Sequence, residues 1–82
     1  MEFKVLINLY IPEAEKTYEL YIPVNKTIYE VLQLIMQIVE EKLPGVQIDN
    51  PNLYNRRKNI LYEKGLIVRN TDIRNGTELI LY

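Results

Sequence analysis

The chain has 82 residues, with 10 basic and 11 acidic side chains and a formal net charge of −1. It is therefore long enough for one small domain and, as a whole, lacks the basic excess of a nucleic-acid-binding protein. It contains no cysteine, histidine or serine, which excludes disulfides, thiolate metal sites and Ser-His-acid catalysis. No apolar run approaches the roughly 20 residues of a membrane span, and the start of the chain does not resemble a signal peptide, so we expect a cytoplasmic protein.

The first two predicted elements are strands. Residues 2–11 and residues 17–24 alternate between apolar and polar side chains, with the period of two that a half-buried strand requires. The polar residues 12–15 between them predict a turn. Because the turn is short, the two strands are expected to form an antiparallel hairpin.

The third element is a helix over residues 27–43, the only long helical pattern in the chain. Apolar residues recur at spacings of three and four and predict one buried face, formed by Ile28, Val31, Leu32, Ile35, Ile38, Val39 and Leu43. Thr27 and Glu30 have the spacing of a capping box, in which each side chain accepts a hydrogen bond from the other's backbone. Pro44 and Gly45 favour the end of the helix.

The last third of the chain predicts short elements. Residues 45–52 lack a period and indicate a loop, and residues 53–56 and 60–63 suggest two short strands around a turn at 57–59. An inward Leu53 would also turn Asn55 inward. Residues 66–72 suggest a compact crossing loop or a short 3₁₀ turn. A turn at Asn75 and Gly76 precedes a final strand at 77–82.

These elements predict an α+β fold with the order β-β-α-β-β-β. The first and last strands are the most apolar, which indicates that they are central neighbours in the sheet. Two such strands can run parallel when a long crossover through the helix connects them. We therefore expect a mixed sheet with the helix packed on one face.

The sequence resembles the ubiquitin-like β-grasp proteins. In residues 60–81 a short strand is followed by a loop that ends in Asp72 and Ile73, a turn at Asn75-Gly76, and a closing Thr-Glu-Leu-Ile-Leu strand. Residues 16–28, the second strand and the start of the helix, are most similar to the YukD/EsaB-like family of bacterial type VII secretion systems. The hairpin tip at residues 56–59 departs from that family's usual glycine-containing hairpin.

The resemblance implies a non-enzymatic protein-interaction module, an accessory or regulatory component of a type VII (WXG100/ESX-like) secretion system. Its partner would be a membrane component, an ATPase or a regulator of the apparatus. The alternative is a ubiquitin-like modifier or sulfur carrier, which ends in a flexible Gly-Gly tail. The last glycine here is Gly76, in the turn before the final strand, so that role would need a tail beyond the 82 residues. A third alternative, an enzyme or cofactor binder, would need a concave pocket with convergent polar groups.

A partner-binding surface is predicted on the sheet face opposite the helix, which is the usual docking surface of ubiquitin-like proteins. Its candidate residues are Leu6, Tyr10, Tyr21, Ile80 and Tyr82. Tyrosine offers both contact area and a polar tip, although isolated apolar residues are also common on sheet faces. The docking interpretation therefore requires that these residues form one contiguous patch.

The only basic cluster consists of Arg56, Arg57 and Lys58. It could meet a phosphate, an acidic partner or a membrane surface, or it could be the solvated tip of a hairpin that protects an edge strand. Leu34, alone on the polar side of the helix, is a candidate for weak self-association. No residue pattern predicts a catalytic, cofactor or metal site, and the two aspartates lie far apart in the chain.

Overall fold

Residues 3–82 are described by a computed structural model, in which five strands and one long helix follow the predicted order. The elements are β1 (Lys4–Ile11), β2 (Lys16–Pro23), α1 (Ile28–Lys42), β3 (Leu53–Asn55), β4 (Ile60–Leu61) and β5 (Glu78–Leu81), with a 3₁₀ helix at Val68–Asn70 before β5. The predicted β-β-α-β-β-β order is confirmed, as is the compact turn in the segment 66–72.

The strands form one mixed sheet in the order β2-β1-β5-β3-β4. β1 and β5 are parallel neighbours, and the other three pairs are antiparallel. The expectation that the first and last strands lie side by side in the middle of the sheet is thus confirmed. Their parallel pairing depends on the long crossover through α1, because a short turn can join only antiparallel strands.

Several predicted strands are shorter in the structure. Glu2, the predicted start of the first strand, lies outside the described residues. β3 ends at Asn55 and β4 at Leu61, so the predicted strands 53–56 and 60–63 were too long. The reason that β3 ends early is local. Asn55 Oδ1 accepts a 3.2 Å hydrogen bond from the backbone N–H of Lys58, which turns the chain directly after Asn55. Arg56 therefore lies in the turn instead of in a strand.

The helix begins as predicted. Thr27 Oγ1 accepts a 3.1 Å hydrogen bond from the Glu30 N–H, and Glu30 Oε1 accepts one of 3.1 Å from the Thr27 N–H, which completes the capping box. At the other end Leu43 is the C-cap, and Gly45 has a φ of +96°, a left-handed conformation that costs glycine little. No helix within residues 3–82 is long and apolar enough to cross a membrane.

The start of α1 is joined to the segment before β5. The backbone N–H groups of Ile28 and Tyr29, which have no partner inside the helix, donate to the carbonyls of Leu66 and Lys64 at 2.8 and 3.0 Å. These bonds satisfy two donors of the first turn that the helix itself leaves unpaired. They also hold the crossing segment against the helix.

The core lies between α1 and the inner face of the sheet. Its most deeply buried side chains are Ile7, Leu9, Ile11, Ile28, Val31, Ile35, Val39, Leu53, Val68, Ile73, Leu79 and Leu81. The predicted buried face of the helix is confirmed at six of its positions; the exception is Ile38, which is only half-buried. Met36 packs against the core, and so do Val46 and Ile48 from the loop after the helix.

Candidate docking surface

The face of the sheet that is free of the helix carries a continuous line of large side chains across four strands. The pairing registers place Tyr10 opposite Ile80, Ile80 opposite Tyr54, and Tyr54 opposite Leu61. We call these four residues the aromatic–aliphatic row. Residues directly opposite one another on one sheet face have Cβ atoms about 5 Å apart, so their side chains are in contact range.

Tyr82 extends this row at the end of the chain. Its ring meets that of Tyr54 edge to face, with a centroid distance of 5.8 Å and an interplanar angle of 64°. The backbone of Tyr82 exchanges two hydrogen bonds with Asn52, at 2.7 and 3.2 Å. The Tyr54 hydroxyl donates to Asn59 Oδ1 in the neighbouring hairpin turn. The two tyrosines are thus held in place and present a preformed surface.

The structure brings together three of the five predicted docking residues. Tyr10 and Ile80 lie in the row, and Tyr82 adjoins it. Leu6 and Tyr21 are opposite one another at the other end of β1 and β2, and they form a separate pair.

A polar band separates that pair from the row. Asn8 lies on β1 between the two groups, with Glu19 opposite it on β2 and Glu78 opposite it on β5. The helix-free face therefore holds two apolar areas divided by two carboxylates and an amide. Of these two areas, the row is the larger.

Two members of the row, Tyr54 and Leu61, were not predicted from the sequence as docking residues. The signal was present, because an inward Leu53 and an inward Asn55 require the residue between them to face outward. Leu61 then follows from its pairing with Tyr54, and its side chain is 56% exposed. The pairing itself is not visible in the sequence, because β4 has only two residues.

The predicted basic cluster divides in the structure. Arg56 and Arg57 line a groove of ≈ 330 Å³ on the helix-free face, and Tyr10 and Ile80 of the row also line it. Lys58 is engaged elsewhere, since its Nζ lies 2.9 Å from Oδ2 of Asp72. The arginines and part of the row therefore line one groove, which Lys58 does not line.

Beneath the hairpin, polar side chains form a chain of hydrogen bonds. The Tyr62 hydroxyl donates to Asp72 Oδ1 at 2.6 Å and accepts from Asn55 Nδ2 at 3.3 Å. Burial, followed by the bond to Asp72, raises the pKa of Tyr62 to about 12. The hydrogen bond from Lys58, followed by that from Tyr62, lowers the pKa of Asp72. This network ties the turn after β3 to the segment before β5.

Two further grooves run along α1 and the loop that follows it, with volumes of ≈ 390 and ≈ 410 Å³. They share Met36, Glu40 and Ile48, and most of their remaining lining residues are uncharged. Within residues 3–82 no three His, Cys, Asp or Glu side chains are placed to hold a metal ion.

The sheet order, the crossover through α1 and the parallel central strands define a ubiquitin-like β-grasp fold. Comparison with known structures bears this out. Ubiquitin from Caldiarchaeum subterraneum superimposes with a TM-score of 0.71 at 18% identity, over 96% of this chain and 91% of that one. No family model matches the sequence, and no curated protein matches it either.

Two other similar structures are chains of larger complexes. A chain of the toluene 4-monooxygenase HD complex with the inhibitor 4-bromobenzoate matches with a TM-score of 0.80 at 5% identity, over 96% of both chains. A chain of the MycP5-free ESX-5 inner membrane complex matches with a TM-score of 0.77 at 10% identity, over 96% of this chain and 20% of that one. At such identities the similarity establishes the fold alone.

Proposed function

We propose that this chain is a non-enzymatic protein-interaction module that docks the helix-free face of its sheet on a partner protein. The observation that carries the proposal is the aromatic–aliphatic row, which crosses four of the five strands and adjoins Tyr82. Tyrosine is enriched among the residues that dominate binding energy at interfaces. A rigid sheet presents such side chains at a small cost in conformational entropy.

We further propose that the partner belongs to a bacterial type VII secretion apparatus, as a membrane component, its ATPase or a regulator, and that the chain acts on it in the cytoplasm. Two observations support this. Residues 16–28 resemble the YukD/EsaB-like family, and a chain of the ESX-5 inner membrane complex contains a region of the same fold.

A pair of matched substitutions tests the docking face. Ile80→Asp places a carboxylate in the middle of the row, whereas Leu34→Asp makes the same chemical change on the exposed side of α1. With the tagged secretion components of the same organism as bait, we expect Ile80→Asp to lower co-purification at least about tenfold, since the carboxylate loses the apolar contact of Ile80 and must be desolvated in the interface. We expect Leu34→Asp to co-purify like the wild type.

Circular dichroism provides the control that both variants are folded. Equal co-purification of the folded Ile80→Asp variant would remove the row from the docking surface. If only Leu34→Asp lost binding, the docking surface would lie on the helix instead.

The secretion role also predicts the neighbouring genes. We expect genes for a large membrane ATPase and for small helical-hairpin proteins with a Trp-x-Gly motif. A gene neighbourhood without either would contradict the secretion role.

A further inference from the structure

The groove of ≈ 330 Å³ beside the aromatic–aliphatic row combines an apolar floor with charged walls. Its lining residues are Asn8, Tyr10, Thr17, Arg56, Arg57, Glu78, Leu79 and Ile80. The volume lies at the lower end of the range for ligand pockets and is large enough for one or two side chains of a bound segment. The floor is formed by half-buried Tyr10 and Ile80, and the charges come from the β3–β4 hairpin tip and from the start of β5.

The charged side chains that line this groove carry a net positive charge. Arg57 Nε lies 3.4 Å from Glu78 Oε1, and the two side chains are 84% and 60% exposed. An ion pair so exposed is weak and can exchange partners at little cost. Within the part of the chain that the structure describes, Arg56 pairs with no carboxylate. The groove thus holds two guanidinium groups against one carboxylate, in a protein whose net charge is −1.

The neighbouring lysine does not line this groove, and its Nζ lies 2.9 Å from Asp72 Oδ2. What the groove offers is therefore arginine alone. The planar guanidinium donates two parallel hydrogen bonds to one carboxylate, a geometry that an ammonium group does not match.

We propose that the groove binds a partner segment in which an acidic side chain adjoins a large apolar one. The apolar side chain would lie on Tyr10 and Ile80, and the carboxylate would meet Arg56 and replace Glu78 as the partner of Arg57. This inference rests on the proposed docking function and specifies the chemistry of the partner.

A nucleic acid fits the same surface less well. Glu78 lies in the groove, and Glu19 lies beyond Asn8 on the same polar band. A polyanion that follows the face would bring its phosphates to both carboxylates, whereas a single acidic side chain needs only the arginine end. The net charge of the protein adds to this repulsion at long range.

The test uses a phage-displayed library of random dodecapeptides selected on the immobilised protein, with competition by a soluble segment synthesised from the selected consensus. We expect acidic residues to be enriched beside aliphatic or aromatic ones. Selected peptides without acidic enrichment, or no selected peptide at all, would overturn the proposal.

The affinity of the synthetic consensus peptide is then measured by fluorescence anisotropy for four proteins. Arg56→Gln and Arg57→Gln together should weaken binding about tenfold. Glu78→Gln should strengthen it about threefold, because the change removes a repelling carboxylate and releases Arg57. Lys58→Gln should leave the affinity within about twofold of the wild type, since its ammonium faces Asp72. An affinity that is unchanged or lowered by Glu78→Gln would contradict the proposal.

The outcomes also separate this inference from the docking function. One outcome is that the Ile80→Asp variant no longer binds the secretion components used as bait, whereas the Arg56→Gln/Arg57→Gln variant still binds them. The docking face would then stand, and the proposal of an acidic partner segment would be wrong. If the bait is retained by Ile80→Asp, the docking face itself is wrong, whatever the peptides show. Binding of a single-stranded oligonucleotide in preference to the peptide would favour the nucleic acid and overturn the proposal.

Discussion

The hydroxyl of Tyr62 lies 2.6 Å from Oδ1 of Asp72 and donates a hydrogen bond to it, although ten residues separate the two in the chain. This bond joins the end of the β3–β4 hairpin to the segment before β5. The same carboxylate accepts from Lys58 through its other oxygen. Through this one carboxylate, the turn after β3 and the end of the hairpin are both bonded to the segment before β5.

Removal of the Tyr62 hydroxyl is expected to destabilise the protein. Tyr62→Phe deletes a hydrogen bond to a charged carboxylate and leaves the buried amide of Asn55 without its acceptor. Such losses typically cost about 1–3 kcal/mol in the free energy of unfolding, which urea denaturation would measure. Tyr21→Phe makes the same change at a side chain that is 69% exposed and should cost less than about 0.5 kcal/mol. Equal stabilities of the two variants would show that the network contributes nothing.

Stability at acid pH should depend on Asp72. Its pKa is lowered in the folded protein, above all by the hydrogen bond from Lys58. A carboxyl with a depressed pKa stabilises the fold above its unfolded pKa, about 4, and this contribution is lost as the pH falls through the lower folded value. Asp72→Asn should therefore flatten the decline of stability below about pH 4. Thermal unfolding between neutral and acidic pH measures this, and parallel curves for both proteins would contradict it.

Stability at alkaline pH should depend on Tyr62 in the opposite sense. Its pKa is raised to about 12, so its contribution is fully present below the unfolded value of about 10 and is lost as the pH rises towards 12. In a spectrophotometric titration of the seven tyrosines, one should ionise last. The Tyr62→Phe variant should lack that final step. A last step that persists in Tyr62→Phe would assign it to another tyrosine.

The capping box should contribute measurably to stability. Thr27→Ala removes the acceptor for the Glu30 N–H and the hydroxyl that bonds the Glu30 carboxylate. Loss of an N-cap costs about 0.5–2 kcal/mol, measured as a lower urea midpoint with an unchanged slope. Gln33→Ala, at an exposed position one turn into α1, is the control and should change stability by less than about 0.5 kcal/mol.

Two adjacent helix residues should differ sharply in their contribution to folding. Ile35 is 2% exposed and lies in the core, whereas Leu34 is 45% exposed. Ile35→Ala should cost about 2–4 kcal/mol because it leaves a cavity, and Leu34→Ala should cost less than about 0.5 kcal/mol. Analytical ultracentrifugation of Leu34→Ala also tests the predicted self-association. A sedimentation coefficient that does not change with concentration in the wild type would remove that role.

Much of this architecture follows from local patterns. Residues 27–43 contain both the period and the caps of a helix, because the capping box joins residues only three positions apart. The alternation in β1 and β2 determines which side chains face the core. Leu53 and Asn55 had to share a face, and the structure buries both. In each case the physical cause acts between residues that are close in sequence.

What the tertiary structure decided is which distant residues share a surface. Three adjacent basic residues look equivalent in the sequence, yet Arg56 and Arg57 line the groove beside Ile80, and Lys58 turns to Asp72. That division depends on the pairing of β3 with β5 and on the contact of Lys58 with Asp72, both of which join segments far apart in the chain. Local patterns determine the face on which a side chain lies, but the packing of distant segments determines its neighbours there.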